Sequence, residues 1–276
     1  MTIILDGKKA RAFYTSELKN RVSRLKHFPA LAIIQVGERN ESTAYIQSKI
    51  KFGQEVGVHV SHIRLEENVK EEEIIDRILE LNRDDSVDGI VLQLPIPTYL
   101  STCKIIDSIS PNKDVDGLTT DQKKSRLEGE RGAITPGTAR GVLELLKYYQ
   151  IDLKNRKVAV LGRSELSGAP IAEAFVKEGA KVTVCHSKTK NEEGITKDSD
   201  VVVVAIGKPN FLDQKYFTAG KGQVVVDVGI NSVGGVSGEA GKLMEEVSGK
   251  KFVGDVDFDK VSPIVGAISP VPGGVG

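Results

Sequence analysis

Residues Lys157 to Leu161 form a short apolar run that passes directly into Gly162-Arg-Ser-Glu-Leu-Ser-Gly168 and then, from Ala169-Pro170, into a helix-forming stretch. A buried strand feeding a tight polar loop and a helix commits this part of the chain to an α/β unit built on a parallel sheet. Glycines permit backbone geometry that a Cβ would obstruct. A helix beginning near Ala169 points its unsatisfied N–H groups and positive dipole end at an anion such as a nucleotide phosphate. The spacing, Gly162-x-Ser164-x-x-x-Gly168, is one residue longer than the usual dinucleotide fingerprint, with serine in place of the second glycine. Alone, it also suits an ordinary strand-to-helix turn.

The next apolar run, Lys181 to Val184, leads into Cys185-His186-Ser187-Lys188. This lies about twenty residues beyond the loop, where an NAD enzyme places Asp or Glu against the ribose 2′-hydroxyl. Here the position carries hydroxyl and basic groups and no acid, which suits a 2′-phosphate. Together with Arg163, it favours NADP over NAD.

Apolar and helical segments alternate along the rest of the chain, so α/β architecture with mainly parallel sheet is expected throughout. Helices are expected at Arg11 to Lys26, from Ser42 to near Gly57, at Glu71 to Leu81 and from Pro136 to Tyr149, the last as a bridge between two halves. Strands are expected at Ala30 to Val36, His59 to Arg64 and Gly89 to Gln93 in the first half. The second half adds Val201 to Ala205, Val224 to Asp227 and Lys251 to Val253. Asp114 to Arg131 reads as a polar stretch, and Gly234 to Gly241 as a flexible hairpin or arm. The turns Ala205 to Asn210 and Asp227 to Asn231 follow strand ends, where an open α/β sheet binds its ligand; ordinary turn duty is the other reading.

A length of 276 residues allows two domains. Lys plus Arg equals Asp plus Glu, at 38 each, so no net field favours nucleic acid or an anionic membrane surface, and small molecules are the expected partners. The two cysteines, Cys103 and Cys185, lack metal-ligand spacing and imply neither a disulfide framework nor a zinc site; no metal is expected. Met1 to Asp6 lacks the pattern of a secretory leader, and no apolar run approaches membrane-spanning length, so a cytoplasmic location without membrane association is expected.

Four segments offer chemistry. Tyr45 and Lys49 stand at i and i+4 on an expected helix, so both reach the same ligand. Lysine serves as an acid or base near neutrality only where burial or a neighbouring cation lowers its pKa; an exposed lysine beside a half-buried tyrosine has the same spacing. In Asp88-Gly-Ile-Val-Leu92-Gln93-Leu94-Pro95-Ile96-Pro97, an amide ends an apolar strand. Gln93 either orients Lys49 or a substrate carbonyl, or satisfies loop backbone. Lys113-Asp114-Val115-Asp116-Gly117 carries two carboxylates that either bind a donor-rich heterocycle or form Asx turns. Ser269-Pro-Val271-Pro272-Gly273-Gly274-Val275-Gly276 suits either a ligand-facing loop or a loose end.

Taken in order, these segments, with Asp227-Val-Gly-Ile230-Asn231 and Gly254-Asp-Val-Asp-Phe258, closely resemble the bifunctional methylenetetrahydrofolate dehydrogenase/cyclohydrolase family over essentially the whole chain. The resemblance implies an N-terminal catalytic and folate-binding α/β domain (1–135) and a C-terminal Rossmann-like NADP-binding domain (136–260) with mainly parallel sheet. It also implies a folate-side segment (261–276) returning toward the first domain, and a cleft between the domains. Methylenetetrahydrofolate would be oxidised by NADP⁺ and the methenyl product hydrolysed to 10-formyltetrahydrofolate, a step in one-carbon metabolism and purine biosynthesis. By similarity, Lys49 is the principal catalytic residue, Tyr45 packs against folate, Gln93 positions Lys49 and Asp116 anchors the pterin. Leu92 and Leu94 flank that site, and Val271, Pro272, Gly273, Gly274 and Val275 match a folate-side loop. Gly162, Arg163, Ser164, Ser187 and Ile230 match cofactor contacts, and a homodimer through the cofactor domains is implied.

The chain departs from the family pattern at Ala133-Ile134, where the family often has Pro-Cys, and at Gln122 and Lys124, where Asn and Gly are common. The family also continues past Pro-Gly-Gly into a helix that returns to the first domain, whose packing is expected to steady the folate side. The competing expectations are a dehydrogenase without efficient hydrolysis, a non-catalytic NADP-binding protein, and a methyltransferase using the same strand-loop-helix for another nucleotide.

Overall fold

Two short strands from distant parts of the sequence lie side by side: β1 (Ile3–Ile4) pairs in parallel with residues 267 and 268. The computed structural model describes residues 2–233 and 251–275. By contact, residues 13–134 form one compact unit, and residues 2–12, 135–233 and 251–275 form the other. The division at the N-terminal side falls within α1 (Gly7–Val22).

The unit of residues 13–134 is built on three parallel strands. β2 (Ala30–Val36) is central, followed in sequence by α2 (Asn40–Val56), β3 (His59–Leu65), α3 (Glu71–Arg83) and β4 (Gly89–Leu92), with the strand order β3-β2-β4. Central β2 and edge strand β4 are largely apolar because both of their faces are covered, while the other edge strand, β3, is more polar and partly exposed. One face carries Ala32, Ile34, Ile90 and Leu92 under Ile74, Ile78 and Leu81 of α3. These three recur at helical spacing, each contributing about 1.5–3 kcal/mol on burial. On the opposite face Ile33 and Val91 pack with Ile46, Ile50 and Val60, which seats α2 on the sheet. α2 ends at Gly57, whose left-handed backbone (φ 85°) lets its N–H return to Gly53 O. Two short helices follow, α4 (Thr102–Ile106) and α5 (Thr120–Leu127).

The second unit comprises α6 (Gly137–Tyr148), β5 (Lys157–Leu161), α7 (Gly168–Lys177), β6 (Lys181–Cys185), α8 (Glu192–Asp198), β7 (Val201–Val204), a 3-10 turn at Gln214–Tyr216, β8 (Val224–Asp227), β9 (Asn231–Val233), β10 (Lys251–Val253), α9 (Phe258–Val261) and β11 (Ala267–Ile268). Its six-stranded sheet has the order β1-β11-β8-β7-β5-β6, and every pairing is parallel. Val158, Val160, Val201, Val203 and Val226 face Val142, Leu146, Ile171 and Phe175 of α6 and α7. Ala159, Leu161, Val202, Val204 and Ile268 face Leu212, Phe217 and Val261.

The arrangement differs from expectation in several places. Residues 2–12 join the nucleotide-type sheet because β1 hydrogen-bonds to β11. The segment from 261 is likewise not set apart from that unit: β11 pairs with β8, and Gly7 N donates to Gly273 O at 2.8 Å. The apolar face of α6, expected to bridge two halves, is spent within this unit's core. β10 pairs antiparallel with β9 and stays outside the main sheet. The polar stretch 114–131 contains α5, capped by Thr119, whose hydroxyl accepts from Gln122 N. Gly234 to Gly241 lies outside the described residues.

Candidate active site and cofactor loop

Lys49 Nζ donates to Gln93 Oε1 at 3.2 Å. Two packing relations create this contact. Ile46 and Ile50 dock α2 on the sheet, turning Lys49 toward the carboxyl end of β4, and Gln93 is the first residue beyond that strand. Gln93 Nε2 donates to Leu94 O at 2.8 Å, which commits the amide group and leaves the carbonyl oxygen for the lysine. Tyr45, one turn before Lys49 on the same helix, is 43% exposed. Leu92 is buried at the strand end and Leu94 half-buried beside Gln93.

The two carboxylates of the Asp114 turn divide their duties. Asp114 is buried and accepts from Gly117 N and Thr119 N, both at 2.8 Å, so it is the turn's internal scaffold. Asp116 makes no hydrogen bond among the described residues and lines a small recess with Ile90, Leu92, Ile106 and Leu118. Burial pushes its carboxyl above the ordinary range; the Lys49 charge pulls it back, and the Asp114 charge adds to the rise. Arg126 is buried, with its guanidinium donating to Gly117 O and Ile134 O. Gln122 donates to Pro111 O and accepts from Ile134 N, both at 2.8 Å, so the departure from the family's asparagine still braces this turn.

The second unit holds the remaining candidates. Gly162 has φ 111°, and a side chain there would strike the Ala205 carbonyl; at Gly168 it would strike the backbone of Gly162 and Arg163. Both glycines are therefore required by close backbone approach. The first turn of α7 is not simply open to an anion, as the sequence suggested. Ala169 N donates to Ser164 O at 3.1 Å, and Gly168 N reaches Ser164 Oγ at 3.4 Å. The N–H groups of Arg163, Ser164 and Leu166 have no acceptor among the described residues. A glycine cradle with outward N–H groups fits a pyrophosphate.

Ser187 and Lys188 are exposed in a turn after β6, closed by Thr189 N to His186 O at 2.7 Å and by Lys188 N to His186 Nδ1 at 3.2 Å. Arg163 is also exposed. This basic edge, with serine and lysine after β6 in place of an acid, fits a 2′-phosphate. Ile230 stands 42% exposed after β8. Val271 to Val275 form a turn in this same unit, against the start of α1. The folate-side candidates thus fall into two groups: Tyr45, Lys49, Leu92, Gln93, Leu94 and Asp116 in one unit, and residues 271–275 in the other.

A buried carboxylate pair, Asp227 at the end of β8 and Asp255 two residues beyond β10, went unrecognised in the sequence. Asp227 accepts from Gly229 N, Asp255 N and Val256 N, and Asp255 from Ile206 N, Gly207 N, Lys208 N and Asn231 Nδ2. Burial pushes Asp227 up to about 7 against the pull of its backbone donors, with the neighbouring Asp255 charge adding to the rise. The local signal was Gly229 and Gly254, since a side chain at either would collide with one of these carboxylates.

Comparison with known proteins fits this geometry. Residues 5–116 match the catalytic-domain model of tetrahydrofolate dehydrogenase/cyclohydrolase, and residues 136–276 match its NAD(P)-binding-domain model. The chain belongs to the tetrahydrofolate dehydrogenase/cyclohydrolase family. It is an enzyme with a catalytic domain followed by an NAD(P)-binding domain, acting as a dehydrogenase and cyclohydrolase in tetrahydrofolate chemistry. The bifunctional protein FolD of Wolbachia sp. subsp. Brugia malayi is 38% identical over 281 residues, covering 100% of this chain and 90% of the relative. The crystal structure of FolD methylenetetrahydrofolate dehydrogenase/cyclohydrolase from Campylobacter jejuni superposes with a TM-score of 0.91 at 38% identity, covering 100% and 93% of the two chains. The Trypanosoma brucei enzyme, solved with NADP cofactor and an inhibitor, has a TM-score of 0.88 at 32% identity, with coverage of 99% and 92%. Among the described residues, no helix of this family member is long and apolar enough to cross a membrane.

Proposed function

We propose that this family member oxidises methylenetetrahydrofolate with NADP⁺ and hydrolyses the methenyl product to 10-formyltetrahydrofolate, with Lys49 as the group that manages protons in the second step. The observation that carries the reading is the Lys49–Gln93 hydrogen bond beside the Asp116 recess.

The chain's residues divide the work as their environments suggest. Asp116 offers a carboxylate, partly screened from water, to the ring and amino N–H donors of a pterin; those donors repay the burial that disfavours its charge. Tyr45 covers the ring, and Leu92 and Leu94 exclude water at its edge. Bound at Gly162, Arg163, Ser164, Ser187 and Ile230, NADP⁺ supplies the hydride acceptor. The cation left on folate is stabilised by its adjacent nitrogens, so the first step needs placement more than proton transfer. Hydrolysis needs both. In its amine form Lys49 accepts a proton as water adds to the methenyl carbon, and returns it to the folate nitrogen released when the ring opens. Gln93, anchored through Leu94 O, aims the Nζ. We assign the turn at Val271 to Val275 to the folate side on the same family pattern.

The preference for NADP over NAD rests on Arg163, His186, Ser187 and Lys188. A homodimer through the cofactor-binding units is supported by β6, an edge strand whose Thr183 and Val184 are exposed. A cytoplasmic enzyme feeding one-carbon units to purine biosynthesis fits the balanced charge and the product. The deciding experiment follows absorbance with methylenetetrahydrofolate and NADP⁺ or NAD⁺, and then follows methenyl hydrolysis alone. Both activities with NADP⁺ preference are expected. Strong NAD⁺ preference would overturn the reading of the basic edge, and absence of hydrolysis the role of Lys49.

A further inference from the structure

The strand order of the second unit locates its ligand crevice. The chain leaves β5 through α7 to reach β6 on one side, then returns to place β7 on the other side of β5. This reversal makes the carboxyl ends of β5 and β7 the switch point at which an open α/β sheet binds its ligand. One wall is the Gly162 loop. It lies so close to the other wall, the segment from Ala205, that no side chain fits at Gly162.

The wall from Ala205 has few holds of its own. Ile206, Gly207 and Lys208 follow the last residue of β7, and their three consecutive N–H groups converge on one buried side chain. Asp255 Oδ2 takes Ile206 N at 2.7 Å and Gly207 N at 2.9 Å, and its Oδ1 takes Lys208 N at 2.8 Å. The same Oδ1 takes Asn231 Nδ2 at 2.8 Å, bringing in the loop after β8 that carries Ile230. Asp255 is fully buried. Its own backbone is fixed in turn, because Asp255 N and Val256 N donate to Asp227. Three converging N–H groups form a nest that would otherwise attract a phosphate. Here an internal carboxylate fills it, while N–H groups of the Gly162 loop stay without an acceptor among the described residues.

We propose that Asp255 is a positioning residue for the nicotinamide cofactor: it ties the loops after β7 and β8 into one rigid wall and keeps phosphate on the Gly162 side. The inference rests on the cofactor assignment made above. Asp255→Asn retains the volume but replaces one acceptor oxygen by an NH₂ group facing N–H donors, so the wall loses its hold.

The test measures NADP⁺ KM, dehydrogenase kcat at saturating NADP⁺, and methenyl hydrolysis in Asp255→Asn, with a melting curve to establish folding. The expected result is a rise in NADP⁺ KM of about tenfold or more, matching loss of a charge-assisted hydrogen bond, with hydrolysis within about twofold of wild type. A merely structural role would reduce the folded fraction, scaling both activities down together at unchanged KM. That pattern, or an unchanged KM with both activities intact, overturns the inference. Should Asp255→Asn fail to fold, Asn231→Ala removes a single donor to the same carboxylate. It is expected to raise KM about threefold or more, again sparing hydrolysis, and an unchanged KM there overturns the inference equally. Wild-type enzyme lacking NADP⁺-dependent activity would instead defeat the underlying assignment, so the two failures are distinguishable.

Discussion

Gln93 holds Lys49 through its carbonyl oxygen and the Leu94 carbonyl through its amide nitrogen, so one side chain joins the helix that carries the lysine to the loop beyond β4. Aim and proton transfer then depend on different atoms.

Removing the amine while keeping the stem separates these contributions. Lys49→Met should lower methenyl hydrolysis by about 100-fold or more, the scale of general acid–base catalysis, while NADP⁺ affinity stays within about twofold. Hydrolysis at wild-type rate with lost NADP⁺ affinity would reverse the assignment.

Asp116 is expected to trade stability for binding. Burial raises its pKa above the unfolded value, so its contribution to stability is present at low pH and is lost as pH rises through the carboxylate range. Asp116→Asn should therefore melt at a higher temperature than wild type at pH 7, yet show a methylenetetrahydrofolate KM raised by about tenfold or more. Parallel melting shifts at pH 3 and pH 7 would contradict this electrostatic account.

Much of the architecture was legible because buried parallel strands must be apolar. Ala30–Val36, Lys157–Leu161 and Val224–Asp227 have the bounds read from the sequence, each built around an apolar run. β1 and β11 were not legible, since two residues carry no periodicity and their pairing depends on partners more than two hundred residues away. α5 was hidden by its polarity, although Thr119 and Gln122 had the spacing of a capping box. In the site, Tyr45, Lys49 and Gln93 could be read from helical spacing and a strand end. Asp227 and Asp255 could not, because burial of a carboxylate is decided by which loops converge on it, and those loops come from three separate stretches of sequence.

Asp227 predicts a pH dependence of its own. With a folded-state value of about 7 against an unfolded value near 4, the native chain retains a proton that the unfolded chain has released. Stability from this group is complete below about pH 4, declines up to about pH 7 and is flat beyond, a change on the order of 4 kcal/mol. Urea unfolding of Asp227→Asn at pH 5 and pH 8 should show a smaller difference between the two pH values than wild type shows. Equal differences would refute it.

The phosphate loop tolerates no side chain at Gly162. Gly162→Ala combines a strained positive φ with collision against Ala205, and is expected to destabilise the fold by about 1–3 kcal/mol. NADP⁺ binding, measured by titration calorimetry, should weaken by at least about tenfold. Unaltered binding would show that the loop does not contact the cofactor.

Cofactor choice is expected to turn on the exposed basic edge. Ser187→Asp places a carboxylate where a 2′-phosphate would sit and where a free 2′-hydroxyl could donate, so the ratio of NADP⁺ to NAD⁺ kcat/KM should fall by about tenfold or more. A ratio unchanged by this charge would put the 2′-phosphate elsewhere.

The pairing of β1 with β11 makes one unit an insertion within the other. During synthesis, residues 13–134 can close their own core while the ribosome is still making the second half. The six-stranded sheet can begin at β5 to β8, but its far edge stays open until Ala267 and Ile268 emerge to receive a strand made more than two hundred residues earlier. Ile3 and Ile4 are thus made long before the strand that receives them.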